Sequence, residues 1–289
     1  MFPLPATEFP ALTNLALTME GHIEPDLVLI LDAFKHAPFL RSLKLVLRDC
    51  SQLILETTFP WHQLTTLQLS LPLTSDVAHA ILVQCTSLER TTFSHILECD
   101  IDTQPPPPLP PALLPELRDF EFGWDQGSQT DLPPTPVLLD LHARSSHFAL
   151  EHLALSGQLL TPAELLSVLR TVPTLETLIV SGCACISDEL FEMLTANEPS
   201  TTLPELRRLE IHPITSMLDG NNVATMTESL FEKANNGDPS VMFPSLIQLC
   251  LYRGDGRFVN GKWETFAQEV EDRIASLRET GFLVDRYHR

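Results

Sequence analysis

The sequence predicts an α/β solenoid, curved like a horseshoe, with parallel strands on the concave side and helices and loops on the convex side. Three observations predict it. A short pattern, Leu-x-x-Leu-x-Leu, recurs along almost the whole chain. Segments with helix-start chemistry and helical apolar spacing fill the gaps between its copies. An apolar residue and a proline precede many copies, as at Phe9-Pro10, Ala37-Pro38, Val172-Pro173, Leu203-Pro204 and Phe243-Pro244. A proline there cannot donate to a ladder, so it marks the entry to a strand.

The fullest unit runs from Val172 to Ala196. Its front half is Leu175-x-x-Leu178-x-Val180-x-x-Cys183, and its back half, Ser187 to Leu194, reads as a helix. The front half recurs in about nine copies, which open at Leu12, Leu40, Leu64, Leu88, Leu117, Leu150, Leu175, Leu206 and Leu246. The copy at Leu88 is weaker, with Thr91 and Phe93 at its second and third positions. Positions i, i+3 and i+5 cannot share one face of a strand, whose side chains alternate with a period of two. The first leucine therefore enters from the preceding turn, and the other two point inward from the strand. Stacked in parallel, such strands bury a continuous leucine ladder, and each unit leans on its neighbours. This is the pattern of a leucine-rich repeat. The copies lie about 24 to 40 residues apart, against the usual spacing of roughly 20–29, so the later ones carry loop insertions.

Taken in order, Asp26 to Lys35 reads as a largely apolar helix. Thr74-Ser75-Asp76 caps a short helix through Val83. Thr161-Pro162-Ala163-Glu164 is a strong start signal, an N-cap Thr with Pro at the first position and Glu where a capping box needs it. Leu165, Leu166 and Leu169 form the buried stripe of that helix. Ser187-Asp188-Glu189 opens another, and Thr227 to Lys233 is a weaker one. The stretch 98–136 breaks the pattern as a Pro-rich, acidic insertion containing Pro105 to Pro108 and Pro133-Pro134. Its proline run has no flanking Arg or Lys, so it reads as a stiff connecting loop rather than an SH3-type ligand. Trp263, Phe266, Val270, Ile274 and Leu277 mark a terminal helix, with Gly281 just past its end. With the strand Phe282 to Val284, residues 263–289 are expected to cap a repeat region spanning 1–262.

A length of 289 residues would suggest two domains, at about 150 residues each, but a solenoid grows without a second core. The net charge of −20 repels phosphate backbones and anionic lipid, so neither nucleic acid nor a membrane is expected as a partner. It would steer a basic protein toward the chain. The six cysteines show no framework spacing, and Cys183-x-Cys185 has no second pair to complete a zinc site. No Asn-x-Ser/Thr sequon, signal peptide or spanning apolar run is present. An intracellular setting, cytoplasmic or nuclear, is expected. The first copy begins by Phe9 with no cap before it. The expectation is a fragment of a longer protein or, failing that, an end covered by another subunit.

The copies at Leu175 to Cys183 and Leu206 to Ile211 resemble leucine-rich repeats of the cysteine-containing, ribonuclease-inhibitor-like kind. The proline-led entries, irregular lengths and closing Leu277-Arg278-Glu279-Thr280-Gly281-Phe282 resemble the repeat region of fungal F-box proteins. The resemblance implies the substrate-recognition part of an F-box-type ubiquitin ligase receptor. It implies a Skp adaptor and cullin-RING ligase as partners only if an F-box lies upstream, since no such helical module precedes Phe9.

No catalytic, cofactor or metal constellation is found. Ser181-Gly182-Cys183 is not a nucleophile elbow, and Gly254-Asp255-Gly256 is not a phosphate loop. The expectation is a non-enzymatic binding protein, with a free-standing acidic scaffold or inhibitor of a basic protein as the alternative. Its candidate contacts are the variable strand positions between the ladder leucines. These are Arg41, Lys44, Gln68, Arg90, Arg118 and Glu121 in the first copies, then Glu151, His152, Glu176 and Ile179, then Arg207, Arg208, Glu210 and Gln248.

Overall fold

Each leucine copy makes one strand, and the strands pair side by side in parallel. The computed structural model describes residues 9–19, 31–47, 59–97, 114–124, 149–157, 161–182, 186, 203, 205–212, 225, 228, 248–252, 258–259, 262–263 and 283–287. The chain divides into two compact units, Met1–Ala149 and Leu150–Arg289, a division the repeat spacing does not announce.

The first unit holds β1 (Asn14–Met19), β2 (Ser42–Leu47), β3 (Thr66–Thr74), β4 (Arg90–Leu97) and β5 (Asp119–Trp124), side by side in chain order. All four pairings are parallel. The register aligns the motif with itself: Leu15, Leu43, Leu67, Thr91 and Phe120 form one line across the sheet. Leu17, Leu45, Leu69, Phe93 and Phe122 form the next. These are the ladder positions, and apart from the half-buried Leu17 they are buried. At the β5 end aromatic rings replace leucine, with Phe93 and Phe122 edge to face at 6.3 Å between centroids, a favoured ring geometry. The register shifts between Leu69 and Pro72, where the proline inside β3 cannot donate to the ladder.

The second unit holds β6 (His152–Ser156), β7 (Thr177–Ser181), β8 (Arg208–His212), β9 (Gln248–Tyr252) and β12 (Leu283–Tyr287), again parallel neighbours in that order. Leu153, Leu178 and Leu209 form one ladder line and Leu155, Val180 and Ile211 the other, all buried. The expected terminal strand thus joins the sheet as β12. A two-stranded antiparallel ribbon, β10 (Phe258–Val259) with β11 (Lys262–Trp263), lies between β9 and β12 in the chain. Trp263, expected to open the terminal helix, is therefore in a strand; the rest of that helix lies outside the described residues.

The first leucine of each copy enters from a turn, and the turn is the same one each time. The N–H of Leu40 donates to the carbonyl of Ala37, Leu64 to Trp61, Leu88 to Cys85, Leu117 to Leu114, Leu175 to Val172 and Leu206 to Leu203. An apolar residue thus starts the turn and the motif leucine closes it, and both are buried in all six copies. The proline of Ala37-Pro38 or Val172-Pro173 is the second residue of this turn, where its fixed φ is already suited. Its role is the corner rather than the first residue of the strand.

Helix α1 (Ser75–Gln84) follows β3 and buries Val77, Ala78, Ile81 and Leu82. Its N-cap Thr74 makes no side-chain capping bond. Helix α2 (Pro162–Leu169) has the full capping box: the Glu164 N–H donates to Thr161 Oγ1 at 3.2 Å, and the Thr161 N–H donates to Glu164 Oε2 at 2.8 Å. It buries Leu165, Leu166, Val168 and Leu169. The helix expected over 26–35 has ended by Asp32, where i+3 bonds from Phe34 to Leu31 and Lys35 to Asp32 tighten the chain into turns. The helix expected at Ser187 and the Pro-rich run at 105–111 lie outside the described residues, as does most of Thr227 to Lys233.

Candidate functional site

What places the variable residues is a carbonyl that accepts twice. In the first unit the Thr13 carbonyl takes the N–H groups of Arg41 and Ser42 at 2.8 and 3.0 Å. The Arg41 carbonyl takes those of Thr65 and Thr66 at 2.8 and 3.0 Å, and the Glu89 carbonyl those of Arg118 and Asp119 at 2.9 and 3.1 Å. The second unit repeats the device from Glu151 to Glu176 and Thr177, and from Glu176 to Arg207 and Arg208. Both lone pairs of each oxygen are used, so the residue ahead of each strand is locked beside its counterpart in the next copy.

Three rows of variable residues result. In the first unit they run Thr13, Arg41, Thr65, Glu89, Arg118, then Asn14, Ser42, Thr66, Arg90, Asp119, then Ala16, Lys44, Gln68, Thr92, Glu121. In the second they run Glu151, Glu176, Arg207, then His152, Thr177, Arg208, Gln248, then Ala154, Ile179, Glu210, Cys250. Each unit therefore lines its own candidate residues up in register. Arg41, Lys44, Arg90, Arg118, Glu121 and Arg207 are exposed, and Gln68, Glu151, His152, Glu176, Ile179 and Arg208 are half-buried. The side chain of Gln248 lies outside the description.

The charges divide into paired and unpaired. Arg90 Nε meets Asp119 Oδ2 at 2.8 Å across the β4–β5 pair, with the arginine 69% exposed; such a pair is worth roughly 0.2–1 kcal/mol. Thr92 Oγ1 donates to Glu121 Oε2 at 3.2 Å one row on. Glu210 departs from its expected exposed setting: it is only 5% exposed. Arg208 holds one of its carboxylate oxygens, and His212 Nε2 lies 3.4 Å from the other. Arg208, Glu210 and His212 alternate along β8, so all three fall on one face. Glu210 is thus a buried carboxylate held by the half-buried Arg208, and removal of that arginine would leave it uncompensated.

His212 and Phe39 went unremarked in the sequence, and both left a signal there. His212 stands two residues past Glu210 on the same strand. Phe39 is the third residue of its turn, where other copies carry Ala11, Gln63, Ser87, Glu116 and Thr174. It is 56% exposed, the one large apolar side chain so exposed among the described residues.

Among the described residues no three His, Cys, Asp or Glu side chains converge as a metal site would require, and no helix is long and apolar enough to cross a membrane. No protein-family model matches the chain, and no curated protein matches it.

Proposed function

We propose that the chain is a leucine-rich repeat solenoid that binds a protein partner on the rows between its ladder positions. One observation carries the reading. The nine motif copies give nine strands, β1 to β9, with ladder positions nearly constant while the intervening rows differ from copy to copy. A surface whose frame is fixed and whose contacts vary suits recognition. The reading is non-enzymatic and intracellular.

The context proposed is the substrate-recognition part of an F-box-type ubiquitin ligase receptor. Proline-led turns, irregular repeat lengths and the ending at Leu277 to Phe282 support it by resemblance. Affinity purification of the full-length gene product with mass spectrometry tests it. A Skp adaptor and a cullin among the retained proteins are expected, and their absence from an otherwise specific set of partners removes the ligase context.

The net charge of −20 favours a second reading, a free-standing scaffold or inhibitor of a basic protein. Basic partners without adaptor or cullin are its expected outcome. Reversal of Glu151 and Glu176 to Lys then abolishes capture if the second unit's rows are the contact, and unchanged capture rejects that location.

A further inference from the structure

The variable rows do not share the charge of the chain. Residues 31–47 carry Lys35, Arg41 and Lys44 against one acid, Asp32, in a protein of net charge −20. Arg41 and Lys44 are exposed, and among the described residues neither is paired with a carboxylate. Arg90 and Arg208, by contrast, are neutralised within the fold by Asp119 and Glu210. The Arg41 guanidinium is steadied by one of its nitrogens, which donates to the Gln63 carbonyl at 3.3 Å and lies 3.5 Å from the Leu40 carbonyl. Most of its five N–H groups remain for a ligand.

The register neighbours of these cations are neutral. In register, Ser42 lies between Asn14 and Thr66, and Lys44 lies beside Gln68. A carboxylate arriving over β1 to β3 meets two cations and hydrogen-bonding side chains, and among the described residues these three rows hold no acid on β1 to β3. The turn that leads into the same strand exposes Phe39. Phe39 stands two residues before Arg41 in the chain, and aromatic residues and arginine are the types at which binding energy concentrates.

We infer that the β1–β3 part of the first unit's face takes an extended acidic segment of a protein partner, with carboxylates on Arg41 and Lys44 and an apolar side chain at Phe39. The inference rests on the protein-binding reading above and adds the chemistry of the partner. The overall negative field acts at long range and is screened beyond about 10 Å at 0.1 M salt. At contact the local pair of cations decides.

The test uses the full chain and a fluorescent probe, a peptide alternating Glu and Ser around one central Leu, with a second peptide carrying Gln for every Glu. Fluorescence anisotropy is expected to show binding of the acidic peptide alone, weakening as salt rises. The double variant R41E/K44E weakens it by ~10-fold or more. Phe39→Ala weakens it several-fold for the Leu-bearing peptide and not for one with Ser in its place. Arg207→Glu in the second unit leaves it unchanged. Because all four altered residues are exposed, circular dichroism of the variants is expected to match the parent. Equal binding of the Gln peptide overturns the inference, as does an affinity within about twofold after the double reversal. The two proposals fail separately. If R41E/K44E retains the full set of proteins purified from extract, the acidic-segment inference falls and the binding-module reading stands. If the parent chain binds the acidic peptide but captures nothing from extract, the binding-module reading falls, and of the inference only the surface's preference for carboxylates stands.

Discussion

Thr91 occupies a ladder position that its aligned neighbours Leu67 and Phe120 fill with apolar side chains. It is 2% exposed, and its hydroxyl oxygen has no hydrogen-bond partner among the described residues. A buried hydroxyl without a partner costs about 1–3 kcal/mol. Thr91→Val keeps the branched shape and removes the hydroxyl, so it is expected to raise the urea midpoint by the equivalent of about 1 kcal/mol. A lower midpoint would show that the hydroxyl is satisfied. Cys85, buried at the head of the turn that Leu88 closes, has its thiol pushed up from 9.0 to about 12 by desolvation. The folded state therefore holds the proton more tightly than the unfolded one. The stability this contributes is complete below pH 9 and lost progressively as the pH rises from there toward 12. At pH 8 Cys85 is expected to resist iodoacetamide in the folded chain and to react once urea unfolds it, as site-resolved mass spectrometry would report. Labelling of the folded chain at Cys85 would contradict that burial.

At the scale of the element, the two described helices separate the value of a cap from the look of one. Thr161 and Thr74 both read as N-caps, yet only Thr161 accepts the N3 N–H and only there does a glutamate stand three residues on. Thr161→Ala is expected to cost about 1 kcal/mol, and Thr74→Ala much less, by chemical denaturation of each variant. Equal losses would mean that the box contributes nothing beyond the residue type. The distinction was legible, because Thr161 is followed by Glu164 and Thr74 by Val77. The proline's place was not: composition marks Ala37-Pro38 and Val172-Pro173 as boundaries, whereas only the bond from Leu40 to Ala37, or from Leu175 to Val172, makes them corners. The strands were the most legible part, since the two inward leucines must share a face and each copy repeats them. Burial of Glu210 was not, since its position in the motif predicts exposure and its partners Arg208 and His212 on the same strand allow the reverse. The exits of β6 and β7 show a further device. Gly157 and Gly182 have φ of 64° and 60°, and each donates its N–H to the next strand, at Ser181 and His212. Serines precede both, and only glycine enters that conformation freely, so Gly182→Ala is expected to destabilise by about 1 kcal/mol or more in the same assay.

For the whole molecule, charge and packing pull in opposite directions. The ladders gather leucine into parallel strands that each unit buries, while 38 acidic residues face 18 basic ones and leave −20. Self-repulsion of that size opposes the folded state and is weakened by salt. The melting temperature is accordingly expected to rise between low salt and about 0.2 M NaCl, where the screening length shortens to less than 10 Å. The R41E/K44E variant sharpens the argument, because each reversal removes a cation and adds an anion, taking the net charge from −20 to −24. Neither side chain contributes to the core, so the variant should melt below the parent at low salt and together with it at high salt. Calorimetry at both salt concentrations reads the difference directly. A gap that persists unchanged in high salt would instead mean that Arg41 supports the fold locally, through its bond to the Gln63 carbonyl, and any binding loss in that variant would then have to be read against its lost stability.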